Sequence, residues 1–343
     1  MIARRESAAA AWWLLGCCFM VAVMVALGGL TRLTHSGLSM AEWRPLHVLP
    51  PMSEAEWRDW YDKYRLTPEF LKINSDMTLE GFKGIFWLEF IHRLWGRALG
   101  LVFLLPLLWL SFTGRIERRR VPQLGLVFLL GAAQGGMGWW MVASGLIDHP
   151  DVSHYRLTAH LGLAFLLHGL MFWLALDILG TRRLAVTPAV GRLGVLVVGL
   201  VSVTALFGGL VAGLDAGLIY NTFPLMEGHL IPDGLTLFGM LDDIKTVQFT
   251  HRVLALSTTV AVVALWLKGR DQLGARADLL LAAVAAQVGL GVATLVLVVP
   301  VALASLHQVV ALVLLTAALW VLHGSTVNVK FHQSHGNGFR DVV

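Results

Sequence analysis

The sequence has few charged residues for its length. Only 14% of its 343 residues are Asp, Glu, Lys or Arg, whereas soluble domains carry about 25%. Hydrophobic residues make up 57%, and the mean hydropathy is +0.70. This composition excludes a soluble globular protein and predicts an all-α, polytopic membrane protein. The net charge of +4 fits basic residues in short cytoplasmic loops, and we expect no nucleic-acid partner.

Cysteine is also scarce. Cys17 and Cys18 are adjacent in the first apolar run, and no loop contains a cysteine. Adjacent residues cannot staple loops together, so we expect no structural disulfide. The first run follows Arg4 and Arg5, and no cleavage site of small residues comes after it. We therefore expect a retained first helix rather than a cleaved signal peptide.

Long apolar runs are abundant. A helix needs about 20 residues to cross the ~30 Å hydrocarbon core of a bilayer. Eight runs meet this length, and they are residues 11–30, 84–112, 123–143, 157–179, 193–212, 247–267, 278–299 and 304–323.

The basic residues predict how these spans are oriented. Basic residues cluster at alternate connections, in the groups 4–5, 115–120, 182–192 and 268–276. The positive-inside rule places this side and both termini in the cytoplasm of an inner-membrane protein. The opposite side carries a long loop over about 31–83 and a shorter one over about 213–246. The stretch EAEWRDWYDKY in the long loop predicts short amphipathic helices at the membrane interface.

The two halves of the sequence repeat each other. Four pairs of segments recur in the same order: GGLTRLTHSGL (28–38) with GGLVAGLDAGL (208–218), EFIHR (89–93) with QFTHR (248–252), QGGMG (134–138) with QVGLG (287–291) and, more weakly, AHLGLAF (159–165) with LHQVVAL (306–312). Each unit has an even number of spans, so both insert in the same direction. We predict two pseudo-symmetric four-helix bundles, an N-terminal repeat over 1–185 and a C-terminal repeat over 186–343.

Histidines occupy matched places within the even-numbered spans. They are His92, His160, His251 and His307. Ionisable residues inside a membrane are costly and usually functional. Each lies early in a helix that runs inward, which predicts sites on the outer side, about two turns or less below the surface.

Two histidines from facing helices suit a haem iron, which takes one imidazole on each axial face. Zinc requires three or four ligands, and no third His, Cys or carboxylate accompanies either pair. Arg93 and Arg252 can bind haem propionates at the outer boundary, because a guanidinium pairs well with a carboxylate. Small surfaces for a flat guest are offered by Gly96, Gly100, Gly136, Gly138 and Gly162. The alternative is that the histidines only hydrogen-bond across helices in a proton path or a packing network.

The remaining histidines lack repeat partners or lie in loops. His168 and His323 are interpreted as satisfied packing or boundary residues. The outer-loop histidines are solvated residues or line an access path to the sites, and they are His35, His47, His149, His154 and His229.

Glu89 and Gln248 occupy the same place in the two repeats. Glu89 precedes His92 by three residues, so the two side chains are neighbours on one helix face. A carboxylate in apolar surroundings is costly, which suits a group that exchanges protons or stabilises developing positive charge. Gln248 keeps the shape without the acid–base chemistry. We predict one chemically active site and one electron-relay site. The alternative is that Glu89 simply pairs with Arg93, four residues later.

The combination of these motifs resembles the haem A synthase family, and the match covers nearly the whole chain. The resemblance implies that His251 and His307 hold a haem b cofactor, while His92 and His160 hold the substrate haem O. It maps the family's catalytic acid onto Glu89. The implied reaction oxidises the methyl group at ring position 8 of haem O to a formyl group, which gives haem A, and electrons leave through haem b.

One departure concerns the first outer loop. Some family members carry a cysteine pair there that is linked to redox delivery, and this loop has no cysteine. The Trp-rich loop is similar to the proteobacterial and mitochondrial branch. The resemblance implies as partners an electron acceptor or donor, the upstream farnesyltransferase (haem O synthase), cytochrome oxidase assembly factors and membrane lipid. A homo-oligomer is compatible with the sequence.

Two other functions compete. A di-haem, quinol-linked electron-transfer cytochrome would place its haems in opposite leaflets, whereas all the matched histidines here lie on one side. A transporter would favour broken helices with a site at the midplane, whereas the spans here are unbroken and their histidines lie off centre.

Overall fold

The structure is a computed structural model that describes residues 8–42, 49–146 and 152–327. Its helices, in chain order, are α1 (Ala8–Leu33), α2 (Glu54–Tyr64), α3 (Pro68–Lys72), α4 (Leu79–Phe112), α5 (Val121–Gly145), α6 (His154–Leu179), α7 (Pro188–Gly213), α8 (Ala216–Ile219), α9 (Ile244–Leu273), α10 (Ala275–Val296) and α11 (Val301–His323). Within these ranges, eight helices are long and apolar enough to cross a membrane, all except α2, α3 and α8. Each corresponds to one predicted span, so the prediction of a polytopic α-helical protein is confirmed.

The spanning helices alternate in direction and define two sides. The loop side contains the end of α1, the start of α4 and the connection from α7 to α9. The arginine side contains the connections after α4, α6 and α9, which carry the basic groups found in the sequence. Arg4 and Arg5 lie outside the described residues.

The helices pack mainly with neighbours of the same repeat. Helices α4 and α6 both contact α1 and α5, while α9 and α11 both contact α7 and α10. A seam also crosses between the repeats, where α6 packs against α7 and α11, and α1 packs against α11. Because the same helices pack within and across the halves, the division at residue 185 stays a prediction.

Buried apolar side chains fill the seam between the two repeats. Leu14 and Val21 of α1, Val197 of α7 and Leu312 of α11 belong to one continuous buried cluster. Cys17 and Cys18 lie in this cluster as free thiols. His168 donates to or accepts from Thr316 across the seam (Nε2 to Oγ1, 2.8 Å). Its buried, hydrogen-bonded position agrees with the interpretation as a packing residue.

Helix α4 begins at Leu79, five residues before the start of the predicted span. The extra turns pack against α2, where Trp57 and Trp60 contact Phe86 edge-on. An aromatic cluster therefore extends α4 on the loop side. Helix α2 confirms the helical prediction for EAEWRDWYDKY, and its buried aromatic face covers this extension.

The arginine side closes with a parallel pair of short strands that joins the two halves. β1 (Leu184–Val186) follows α6, β2 (Ser325–Val327) follows α11, and Leu184 is paired with Ser325. Nearby, Asp177 accepts a hydrogen bond from buried His323 (Oδ1 to Nε2, 2.8 Å). His323 is therefore a satisfied boundary residue, as the sequence predicted.

Candidate functional site

Each of the four matched histidines lies against a glycine of a neighbouring helix. A Cβ atom placed on Gly28 of α1 would lie 3.3 Å from Cε1 of His92, and one on Gly208 of α7 would lie at the same distance from Cε1 of His251. The two contacts agree to a tenth of an ångström, although they come from different repeats. The internal repeat thus extends to the placement of these imidazole rings.

The second histidine of each repeat is held in the same way. A Cβ on Gly138 of α5 would lie 3.3 Å from Cε1 of His160. A Cβ on Gly291 of α10 would lie 2.9 Å from Cε1 of His307. Because only glycine leaves room at these places, four backbones approach the four rings closely.

His251 and His307 line one cavity, and the helices that carry His92 and His160 both pack against α1 and α5. The Nδ1 atom of each ring is buried without a hydrogen-bond partner in the described part of the chain. The Nδ1 atom of the packing residue His168 is in the same state, so this feature alone does not distinguish the four rings. Among the described residues, no three His, Cys, Asp or Glu side chains converge as metal ligands, which disfavours zinc.

A cavity of about 100 Å³ lies in the C-terminal half. His251 and His307 both line it, together with Gly208 and otherwise mainly apolar side chains. Cofactor sites usually combine apolar walls with few polar groups in this way. Gln287 also lines the cavity, and its Nε2 lies 3.3 Å from Nε2 of His307.

In the N-terminal half, a cavity of about 180 Å³ opens at the loop side between α4, α5 and the first loop. Arg93 lines it, together with Met40 and Trp139. Neither His92 nor His160 reaches its wall. The structure therefore brings Arg93 to an opening above the histidine pair.

Glu89 fastens the first outer loop to α4. Its side chain is 2% exposed. Oε2 accepts hydrogen bonds from the Ser39 hydroxyl at 2.6 Å and from the Met40 N–H at 2.8 Å. Arg93 forms a close ion pair with the other oxygen, so the pairing that the sequence left as an alternative is present. A buried carboxylate with three partners is held in a fixed orientation.

Gln248 performs the equivalent fastening in the second repeat. Its Nε2 donates to the carbonyl oxygen of Tyr220 at 2.8 Å. Tyr220 stands at the position of Met40 when the repeated segments are aligned. The Glu-to-Gln change therefore keeps the contact between helix and loop and replaces a charged acceptor by a neutral donor.

Arg93 and Arg252, which directly follow His92 and His251, also hydrogen-bond to the loops. Arg93 donates to the Met40 carbonyl at 3.2 Å, and Arg252 donates to the Tyr220 carbonyl at 2.9 Å. Both side chains stand at the loop side, where the sequence predicted propionate binding. That role stays a prediction.

The small surfaces that glycines offer to a flat guest stay a prediction. Gly138 contacts His160, whereas Gly96 faces Met24 and Gly162 faces Leu206. Gly100 and Gly136 have open space within 4 Å of a Cβ position. The interpretation missed Gly28, Gly208 and Gly291. Their signal was available, since all three stand in the repeated GGL and Q-x-G-x-G segments.

The predicted depth below the membrane surface stays a prediction. His160, His251 and His307 lie within two turns of their helix starts, whereas His92 lies about 20 Å from Leu79 at ~1.5 Å per residue. The first turns of α4 belong instead to the aromatic cluster with α2.

Three of the predicted outer-loop histidines lie in the described part of the chain. His35 and His229 are exposed, and His154 pairs with Asp242 at 3.2 Å. His47 and His149 lie outside the described residues.

Comparisons with known proteins agree along nearly the whole chain. The family model COX15-CtaA, described as "Cytochrome oxidase assembly protein", matches residues 11–319. A protein named "Heme A synthase" from Paramagnetospirillum magneticum is 59% identical over 325 residues, covering 91% of this chain and 92% of its own length. A protein of the same name from Nitrosospira multiformis is 48% identical over 327 residues, covering 91% and 92%. Another from Anaplasma marginale is 48% identical over 319 residues, covering 90% and 92%.

Proposed function

Because this chain belongs to the COX15-CtaA family of cytochrome oxidase assembly proteins, we propose that it is an oxidoreductase that converts haem O to haem A. The reaction oxidises the methyl group at ring position 8 to a formyl group. The proposal is supported by the relatives named "Heme A synthase", which are up to 59% identical over most of the chain. It agrees with the function implied by the sequence motifs.

We assign the substrate haem O to His92 and His160 and a haem b cofactor to His251 and His307. The residues fit such a group on two observations. His251 and His307 line one mainly apolar cavity, and His92 and His160 lie against the equivalent glycines of the first repeat. When bound, haem b supplies one-electron redox chemistry, which suits a relay for electrons that leave the substrate.

Glu89 makes the N-terminal site the chemical one. Its carboxylate is buried three residues before His92 and has a fixed orientation through Ser39, Met40 and Arg93. A carboxylate held in this way can accept a proton from the methyl group or stabilise positive charge that develops there. Gln248 lacks this capacity, so the C-terminal half is assigned to electron transfer alone.

Arg93 and Arg252 are assigned to the propionates. Both lie at the loop side, next to the histidines, and Arg93 lines an opening. Arg252 donates to the Tyr220 carbonyl, and its Nε atom has no hydrogen-bond partner among the described residues, so this donor can bind a carboxylate. A propionate at this place would be joined to the loop through the same arginine.

The chain is proposed to lie in the inner membrane with both termini in the cytoplasm and both haem sites towards the periplasm. The basic groups of the arginine side support this orientation by the positive-inside rule. Its repeats, residues 1–185 and 186–343, are proposed to act as one site each. The farnesyltransferase that makes haem O, the assembly factors of cytochrome oxidase and an electron acceptor or donor are proposed as partners.

The experiment is pigment analysis in a host whose membranes contain haem O and no haem A. Expression of the full chain should yield haem A, or its hydroxylated precursor, in the extracted pigments, and the same host without the chain should yield neither. Haem b as the single pigment bound to the purified chain, with haem O left unconverted, would instead support an electron-transfer cytochrome.

A further inference from the structure

Each repeat contains a pair of adjacent glycines. One glycine of the pair contacts a histidine of its own repeat, and the other contacts the helix that carries the second histidine of the other repeat. In Gly28–Gly29 of α1, the first glycine faces His92 of its own repeat. The second faces Gln308 of the other repeat, whose Oε1 would lie 2.5 Å from a Cβ on Gly29. Gln308 follows His307 directly and lines the C-terminal cavity.

The matched pair in α7 makes the reciprocal contacts. Gly208 faces His251 of its own repeat, and Gly209 faces Thr158 of the other repeat. Thr158 Oγ1 would lie 3.0 Å and Thr158 Cα 3.2 Å from a Cβ on Gly209. Thr158 precedes His160 by two residues on α6, so this contact reaches the helix that carries the second histidine of the N-terminal pair.

Hydrogen bonds of Arg32 join α1 to the end of α7 across the same seam at the loop side. Arg32, four residues after Gly28, donates to the Ala212 carbonyl at 2.7 Å and to Asp215 at 2.8 Å. Ala212 and Asp215 follow Gly208 at the corresponding places of the second repeat. The ends of α1 and α7 are thus tied together, which restricts independent movement of the two glycine pairs.

We propose that Gly28–Gly29 and Gly208–Gly209 are positioning residues that couple the two histidine sites. In each pair, one glycine contacts an imidazole of its own repeat, and the adjacent glycine contacts the helix that carries an imidazole of the other repeat. A displacement of His307 upon haem b binding is passed through Gln308 to α1 and so to His92. This inference rests on the proposed function, because it requires a haem in each half.

The consequence is a linkage between the two occupancies. Coupling free energies between sites typically change affinity by roughly 5–150-fold and act equally in both directions. We expect haem O to bind the N-terminal site more tightly, within this range, when haem b fills the C-terminal site. The coupling should be lost when a methyl group is inserted at Gly29.

The first test compares two variants on one helix. Gly29→Ala inserts a methyl group against Gln308, whereas the control Gly16→Ala, also in α1, meets no atom within 4 Å. Haem O is titrated into each full-length protein with haem b present and with the C-terminal site disabled by His251→Ala and His307→Ala. Wild type and Gly16→Ala should show a ratio of affinities above roughly fivefold, and Gly29→Ala a ratio near one.

A rescue separates coupling from general damage. The atom nearest to a Cβ on Gly29 belongs to the end of the flexible Gln308 side chain. Gly29→Ala should shift the absorption spectrum of the C-terminal haem b, and adding Gln308→Ala should restore it. Thr158→Ala should rescue Gly209→Ala only weakly, because the Thr158 Cα stays in place. This measurement also applies if the double histidine variant does not fold.

The outcomes are distinguishable. The coupling would be overturned if wild type bound haem O equally tightly with haem b present and with the C-terminal site disabled. It would also be overturned if Gly29→Ala left the haem b spectrum unchanged. Either result would leave the proposed function intact. Failure of the wild-type protein to bind haem at either site would overturn the proposed function itself.

Discussion

At the scale of single residues, the feature most closely tied to the proposed function is the contact between a histidine and a glycine of a neighbouring helix. In the described part of the chain it occurs at four matched positions, and each of these contacts joins two helices of the same repeat. A side chain on the facing helix would occupy the space next to the imidazole. The glycines therefore set the orientation of the rings, which ligation to iron requires.

Gly291→Ala tests this role of glycine. The added methyl group would lie 2.9 Å from Cε1 of His307, closer than carbon atoms pack, so the ring must move. We expect haem b affinity to fall roughly 10–100-fold, as for other changes that reorient a metal ligand. Gly289→Ala is the control, because a Cβ there meets no atom within 4 Å. Equal haem b content after purification of the two variants would contradict the expectation.

Glu89→Gln tests the assignment of the chemical site. The amide keeps the volume of the side chain and removes the charge that Arg93 and the Met40 N–H now stabilise. We expect the variant to retain haem O and to make no haem A, since it reproduces the neutral group of the second repeat. Chromatography of the extracted pigments gives the answer. Turnover at the wild-type rate would remove Glu89 from the mechanism.

At the scale of the elements, the N-terminal ends of the helices on the loop side determine where the site residues lie. Asp243 is the N-cap of α9, the helix that carries Gln248 and His251. Its carboxylate accepts from the Thr246 hydroxyl at 2.6 Å and the Thr246 N–H at 2.7 Å. These bonds lower the pKa of Asp243 from its ordinary value of 3.8, the side-chain bond contributing most.

Asp243→Ala should therefore destabilise the start of α9 by about 0.5–2 kcal/mol, the usual effect of removing an N-cap. A lowered pKa in the folded state stabilises the protein above the ordinary pKa, and this contribution is lost as the pH falls through the folded value. Asp243→Asn keeps an acceptor and should show no such loss. Thermal unfolding in detergent as a function of pH compares the three proteins. An identical acid dependence in wild type and Asp243→Asn would refute this role.

The spanning helices could be predicted from the sequence because length and hydropathy decide them. The five extra residues at the start of α4 could not, since Phe82 packs against Tyr61 and Tyr64 of α2, a separate helix earlier in the chain. Glu89 was predicted as functional from its place beside His92. Its bonds to Ser39 and Met40 depend on how the loop returns to α4, which spacing along the chain does not reveal.

At the scale of the whole molecule, the two repeats are joined at both ends of the seam. Arg32 and Asp215 join them on the loop side, and β1 with β2 joins them on the arginine side. Repetition in the sequence predicted two equivalent halves. The contacts across them arise from side chains that differ between the repeats, such as Gln308, which stands opposite Leu161, so the repeat alone could not predict them.

Asp177→Ala tests the junction on the arginine side. Asp177 accepts from His323, which is 4% exposed, and lies 3.7 Å from Arg120 and from Arg183. Removal leaves a buried histidine without this partner, and we expect a loss of about 1–3 kcal/mol. Asp278→Ala is the control, because its pair with Arg270 is half exposed and should contribute at most about 1 kcal/mol. Equal unfolding temperatures for the two variants would contradict this ranking.

The most direct measurement is the haem content of the purified protein and of variants lacking one histidine pair. Wild type should bind haem with the spectrum of two axial imidazoles at each site. His251→Ala with His307→Ala should remove haem b alone, and His92→Ala with His160→Ala should remove haem O alone. A colourless protein, or two pair variants that each retain both haems, would contradict the assignment of one haem to each pair.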